Sequence, residues 1–195
     1  MALGTWQIIR LNWKLDLINS IDQSLKSDPV EFNGSNPINF KKIKFEGILD
    51  NSKIIYLYSL NEKGEPGFDI VNPVSINNKS YLINRGWVPR DLKSKKYVSN
   101  ENKFEGVLKL KSKFNYFKPD NDVNKNYWFT LKDEDLLTYT GKEFSPFIIN
   151  NISKQEGIYP QSKQIGANIS NNHLKYALTW FSFCLLYTSP SPRDS

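Results

Sequence analysis

Between Phe40 and Phe114 the chain falls into short apolar runs separated by turn residues, several of them alternating with a period of two, and this pattern, more than any other feature, limits what the chain can become. A period of two places successive side chains on opposite faces of an extended strand. Phe40–Leu49 alternates at Ile43, Phe45 and, after Gly47, Ile48. Ile54–Ser59 reads as a second strand, with Asn51-Ser52 as turn chemistry between the two. Glu62–Gly67 is a loop. Phe68–Ile76 is a strand containing Pro73, whose missing N–H favours an edge or a bulge. Asn77-Asn78 predicts a tight hairpin into Ser80–Val88, because Asn tolerates positive φ. Lys93–Lys96 reads as a solvated basic loop, and Phe104–Phe114 alternates again.

Helical spacing occurs at two places. Trp6, Ile9, Trp13, Leu17, Ile21 and Leu25 are three or four residues apart within Leu3–Lys26, giving one stripe that faces a core or a membrane surface. Arg10 and Lys14 lie at nearby positions, where their long stems can reach phosphates. Pro29 ends this region. A short helix follows Thr130, with Thr130 as its cap, Asp133 at the reciprocal box position and Gly141 as its stop. Phe144–Ile152 is the last strand. The expected class is α+β, mostly β: an antiparallel, partly closed barrel-like domain with an N-terminal amphipathic helix and one short inserted helix.

Composition removes several chemistries. With 39% hydrophobic and 14% aromatic residues in 195, the chain can bury a core and is not a disordered protein. One Cys excludes an internal disulfide framework and a Cys-rich zinc site, and one His excludes a His-pair metal site. The net charge of +6 allows an anionic partner without requiring nucleic acid. Asp133-Glu134-Asp135 do not converge on an ion, because consecutive helical residues point about 100° apart; the helix N-terminus accounts for them. Gly64 and Gly67 lack the Lys-Ser/Thr ending and strand-to-helix setting of a phosphate loop. No nucleophile elbow is present.

Two segments carry more information. In Asn84–Pro89 (NRGWVP) a Gly between Arg85 and Trp87 allows an unusual backbone angle or a close approach by another group. One reading is a strand ending in a bulge, with Trp87 in the core and Arg85 paired. The other is an aromatic and guanidinium face for a flat, anionic ligand or partner. His173 stands at the start of an apolar stretch, Leu174–Phe183. It reads either as a helix-boundary residue or as an axial ligand of haem iron through neutral imidazole. Tyr176 and Trp180, three and seven residues on, share its helix face.

The chain resembles the Surfeit-locus (Surf one) family of cytochrome c oxidase assembly proteins. The resemblance rests on Leu3–Lys14 (LGTWQIIRLNWK), Asn84–Pro89 (NRGWVP), Tyr127-Trp128 with the short helix to Gly141, Phe147–Ile149, and Asn171–Trp180 (NNHLKYALTW), in the family's order. It implies a non-enzymatic, membrane-anchored factor that assists haem a insertion into the oxidase's catalytic subunit. Its expected partners are that subunit, other assembly factors and the membrane, not nucleic acid. The implied location is the bacterial inner membrane with the main domain periplasmic, or the mitochondrial inner membrane in a eukaryote.

In that frame His173 is the iron ligand, Tyr176 and Trp180 pack the ring, and Arg10, Arg85 and Trp87 are anion or partner contacts. Residues 1–28 are the N-terminal helix leaving a first transmembrane span, 29–170 the β-rich domain, and 171–183 the start of a second, truncated transmembrane helix. Residues 184–195 resemble a translated sequencing adapter. Alternative functions are a protein scaffold without haem contact and a nucleic-acid-binding barrel, the latter requiring salt-sensitive oligonucleotide binding.

Overall fold

The computed structural model describes residues 2–112, 118–152, 159–162, 178–179 and 182. The chain divides into two compact units, Ser27–Ile165 and a terminal unit of Met1–Lys26 with Gly166–Ser195. In the terminal unit, α1 spans Ala2–Lys26. Its apolar stripe is split in character: Ile21 is buried, whereas Trp6, Ile9 and Trp13 are exposed. Leu178, Thr179 and Ser182 are helical; the rest of the apolar segment 171–183, with His173, Tyr176 and Trp180, lies outside the described residues, as does the tail 184–195. Among the described residues no helix is long and apolar enough to cross a membrane.

The larger unit is mostly β. Its strands are β1 (Val30–Glu31), β2 (Lys42–Glu46), β3 (Ile48–Leu49), β4 (Ile55–Leu60), β5 (Pro66–Ile76), β6 (Lys79–Pro89), β7 (Lys103–Leu110) and β8 (Phe147–Asn151), with α2 (Asp133–Thr140) before the last. They form one sheet in the order β1-β2-β7-β8-β6-β5-β3, with β4 also on β5. The sheet is mixed, not purely antiparallel: β1 runs parallel to β2, and β8 runs parallel to β6 while antiparallel to β7. The helix-containing segment between β7 and β8 is long enough to return the chain in that direction. The sheet is not closed into a barrel. It does curl, because β2 and β3 pair at opposite ends of the strand order yet are separated by Gly47 alone.

Gly47 also corrects the expected phase. Ile43 and Phe45 are buried, but beyond Gly47 it is Leu49 that enters the core, while Ile48 is 79% exposed. A Cβ on Gly47 would meet Val74 at 2.8 Å, so close packing against β5 requires the glycine. Pro73 is neither on an edge strand nor at the bulge; β5 has neighbours on both sides. Pro73 lies where β4 ends and β3 begins, and its carbonyl accepts from Asp50 N at 2.9 Å on that side. In an antiparallel strand a residue's N and C=O point the same way, so the missing N–H falls in the gap between two partial neighbours.

Both faces of the central strands are covered. Ile83 and Ile149 join Phe45, Val74, Ile76 and Phe104 on one face, while Leu82 and Ile148 join Ile55, Val71, Trp128 and Leu136 on the other. The hairpin at Asn77-Asn78 has φ of 44° and 64°, as its residue types predict. Gly141 ends α2 at φ 72° with its N–H on the Leu137 carbonyl. Thr130 is not the cap: Lys132 occupies that position without a side-chain capping bond to the helix, and the buried Thr130 hydroxyl finds no hydrogen-bond partner among the described residues. Asp133 instead pairs with Lys111 at 2.5 Å.

Candidate functional site

The β5–β6 ladder is broken in the Asn84–Pro89 segment. Ile70 pairs with Gly86 and Val71 with Asn84, leaving Arg85 as the extra residue of a bulge. One added residue reverses the side-chain parity, so Ile83 and Val88, which strict alternation would put on opposite faces, both point into the side of the sheet carrying Phe68, Ile70, Val74 and Ile76. Trp87 consequently lies across Gly67, where a Cβ would come within 2.5 Å of the indole. Trp87 is 4% exposed and donates Nε1–H to the Ser59 carbonyl at 3.2 Å. Arg85 is half-buried, its guanidinium donating to the Tyr97 carbonyl at 2.5 Å. Burial pulls the Arg85 pKa down, partly opposed by Glu101. Of the two readings of this segment, the local geometry is that of the bulge with a core tryptophan and a bonded arginine.

Gly86 has φ 133° and faces the backbone of Gln161, which pairs with Trp87 through two bonds of 2.7 and 2.9 Å. The bulge thus creates a docking point for the chain at Tyr159–Ser162.

Beyond the bulge, the Arg90–Leu92 3-10 turn delivers Lys93 to a group of aromatic rings. Its ammonium stands 5.0 Å from the Tyr127 ring centroid, 5.1 Å from Phe68 and 5.5 Å from Tyr56, and donates to the Lys125 carbonyl at 3.1 Å. Lys93 is therefore not part of a solvated basic loop. Desolvation lowers its pKa, while Asp122 pulls the other way; the ring faces offset part of the lost hydration.

The rings continue to the surface. Tyr58 and Tyr127 stack at 6.2 Å and 20°, and Phe129 lies 5.7 Å from the first and 5.1 Å from the second. The segment carrying Tyr127 and Phe129 is fastened to the outer edge of β4: Tyr58 N donates to the Trp128 carbonyl at 2.6 Å, and Trp128 N to the Tyr56 carbonyl at 3.1 Å. Below it, Trp128 is fully buried and donates Nε1–H to Asn126 Oδ1 at 2.8 Å. Tyr58, Tyr127 and Phe129, with Arg90, Lys118 and Pro119, line a surface cleft of about 460 Å³. A second cavity of about 630 Å³ lies beside the start of α2, between Leu110, Lys111, Leu131, Asp133 and Pro146.

The cleft was not foreseen from sequence. Its rings come from β4 and from a segment some 70 residues later, and only the crowding of aromatics in Tyr127-Trp128-Phe129 hinted at it. Arg10, in the other unit, is exposed, with its guanidinium 5.5 Å from each of the Trp6 and Trp13 rings.

The family model described as the SURF1 family matches residues 1–185. The chain belongs to the SURF1 family. It is 31% identical to the SURF1-like protein of Rickettsia felis over 198 residues, covering 95% of this chain and 87% of that protein. Against Surfeit locus protein 1 of Takifugu rubripes the identity is 28% over 212 residues, covering 94% and 87%. Against human Surfeit locus protein 1 it is 26% over 206 residues, covering 92% and 68%. The residues of the bulge, the cleft and most of both terminal segments fall within the matched span.

Proposed function

We propose that this SURF1-family chain is a membrane-anchored assembly factor for cytochrome c oxidase. It assists haem a insertion into the catalytic subunit without catalysing a reaction of its own. The observation that carries this reading is the family match across residues 1–185, which includes the terminal segments as well as the β unit. His173 is the iron ligand in this reading: it is the chain's only imidazole, and neutral imidazole is a common axial ligand. Tyr176 and Trp180 pack the ring. A guanidinium at Arg10 or Arg85 offers paired donors to propionate or lipid phosphate. The exposed Trp6, Ile9 and Trp13 on α1 support a membrane-facing role. The main domain then lies on the periplasmic side of a bacterial inner membrane, or on the outer face of the mitochondrial inner membrane.

The test is haem absorbance of the full chain in its membrane. His173→Ala abolishes the absorbance if the imidazole ligates iron; haem binding that survives the substitution removes His173 from the function. The cleft at Tyr58, Tyr127 and Phe129 favours a second contribution, docking of a protein partner, and this would persist in the same variant.

A further inference from the structure

We propose that the Tyr58–Tyr127–Phe129 cleft docks a surface segment of a partner protein, one that places an aromatic or large apolar side chain beside one or more carboxylates. The inference deepens the assembly reading by assigning a protein-binding surface, but its physical basis is independent of His173.

The chemistry of the cleft selects that occupant. Tyr58 and Tyr127 are 6.2 Å apart and nearly parallel. Inserting a third ring between two others needs about 7 Å, two aromatic contacts of roughly 3.5 Å each. Nothing flat can therefore enter between them, and a ligand must lie across the rings from outside. The rings are held for that purpose. Phe68 meets Tyr127 edge-on at 5.0 Å, and the Lys93 ammonium sits 5.0 Å from the Tyr127 centroid, so the platform loses little freedom on binding.

The rim supplies charge. Arg90 and Lys118 are both exposed, and neither has a carboxylate partner among the described residues. The neighbouring acids are engaged elsewhere: Asp120 with Lys132 at 3.0 Å and Asp122 with Lys125 at 3.2 Å. Asp91, next to Arg90 in sequence, forms no ion pair with it. Lys118 donates to the Phe129 carbonyl at 3.3 Å, which places its cation at the edge of the rings. Two unpaired cations flanking a rigid aromatic platform match an acidic segment with an aromatic anchor. Tyr and Arg are also the residue types that dominate interface energetics.

The test uses the full chain and a displayed library of short random peptides. Peptides selected on the wild type should combine Asp or Glu with Phe, Tyr or Trp, and bind less tightly as salt rises. The Arg90→Gln/Lys118→Gln variant should bind them about ten-fold more weakly, the scale of one to two exposed charge contacts. Both side chains are exposed, so the variant should keep the wild-type melting temperature and, with His173 intact, its haem absorbance.

Selected peptides without acidic enrichment, equal binding by the variant, or no selection above background would each overturn the proposal. So would displacement of the peptides by phosphatidylglycerol vesicles at concentrations where phosphatidylcholine vesicles have no effect, which would assign the cleft to lipid. Failure here with a haem-binding chain leaves the assembly reading standing. Success in a chain whose haem absorbance survives His173→Ala removes His173 as the haem ligand and keeps the docking surface.

Discussion

Gly86 faces the main chain of Gln161 so closely that a Cβ at Gly86 would lie 2.5 Å from the Gln161 carbonyl oxygen. The same residue holds φ 133°, a region that residues with a side chain rarely occupy. Gly86→Ala should therefore lower stability by about 3 kcal/mol, combining backbone strain with the need to push the Tyr159–Ser162 segment off β6. Gly64 provides the control: its φ is 82°, but nothing lies within 4 Å of its hypothetical Cβ. Gly64→Ala should cost only about 1 kcal/mol. Urea denaturation midpoints of the two variants separate close approach from backbone preference, and equal losses would show that the contact with Gln161 contributes nothing.

Trp128 is the largest fully buried side chain among the described residues, and it joins the β4 edge to α2. Its ring meets Tyr139 edge-on at 5.6 Å, and its Nε1–H reaches Asn126, whose Nδ2 in turn donates to the Ile54 carbonyl at 2.6 Å. Trp128→Ala should cost about 3–5 kcal/mol through the cavity it leaves. Asn126→Ala removes the acceptor of the indole N–H, leaves the Ile54 carbonyl with only the Tyr139 hydroxyl at 3.2 Å, and also asks a non-glycine residue other than Asn to hold φ 50°; about 2 kcal/mol or more is expected. Because the two residues share one bond, their double variant should lose less than the sum of the singles. Strict additivity in chemical denaturation would contradict the network.

How much of this was legible in the sequence depends on the range over which each feature is determined. Ile43 and Phe45 announced their strand because alternation is local, and Asn77-Asn78 announced its hairpin because positive φ selects residue type. Ile48 misled: Gly47 bends the strand, and that bend reflects packing against Val74 nearly 30 residues away. The placing of β8 between β6 and β7 has no local signature at all, since a parallel pair is decided by the path of the intervening chain. In Asn84–Pro89 the glycine correctly pointed to both a special angle and a close approach. Lys93 was misread because its run of charges resembles a solvated loop, while the rings that receive it come from β4, β5 and the 127 region. The cleft was illegible for the same reason.

Asp50 turns the chain from β3 into β4, and its carboxylate is held below the usual range chiefly by the Ser52 hydroxyl, which donates to it at 2.6 Å. The Ser52 N–H adds a second bond at 3.0 Å, Lys142 and Lys53 add charge, and burial opposes them. With the folded pKa depressed below 3.8, the unfolded chain binds more protons in that window. The contribution of Asp50 is therefore complete above the unfolded value and disappears as pH falls through the folded one. Ser52→Ala should raise the Asp50 pKa toward the ordinary value and cost about 0.5–1 kcal/mol at neutral pH, with a smaller loss in acid. Carboxyl-carbon chemical shifts followed through an acid titration, alongside denaturation at each pH, would check both parts. An unchanged Asp50 titration in the variant would assign the depression to the lysines instead.

On α1, Arg10 is flanked by Trp6 and Trp13, each ring centroid 5.5 Å from its guanidinium carbon. Both tryptophans are about half exposed, and Ile9 beside them is 62% exposed. Exposed indoles with an interleaved cation suit a headgroup layer, where the ring bodies enter the apolar boundary and the guanidinium meets phosphate. If α1 sits at a bilayer surface, the wild type should bind phosphatidylglycerol vesicles more tightly than phosphatidylcholine vesicles. Trp6→Ala/Trp13→Ala should weaken both associations by removing apolar burial. Arg10→Gln should weaken mainly the anionic one, by about five-fold, since one basic residue near such a surface contributes about 1 kcal/mol. Flotation of wild type and variants with the two vesicle types distinguishes the effects. Equal recovery of wild type and the double tryptophan variant would show that this face of α1 meets protein rather than lipid.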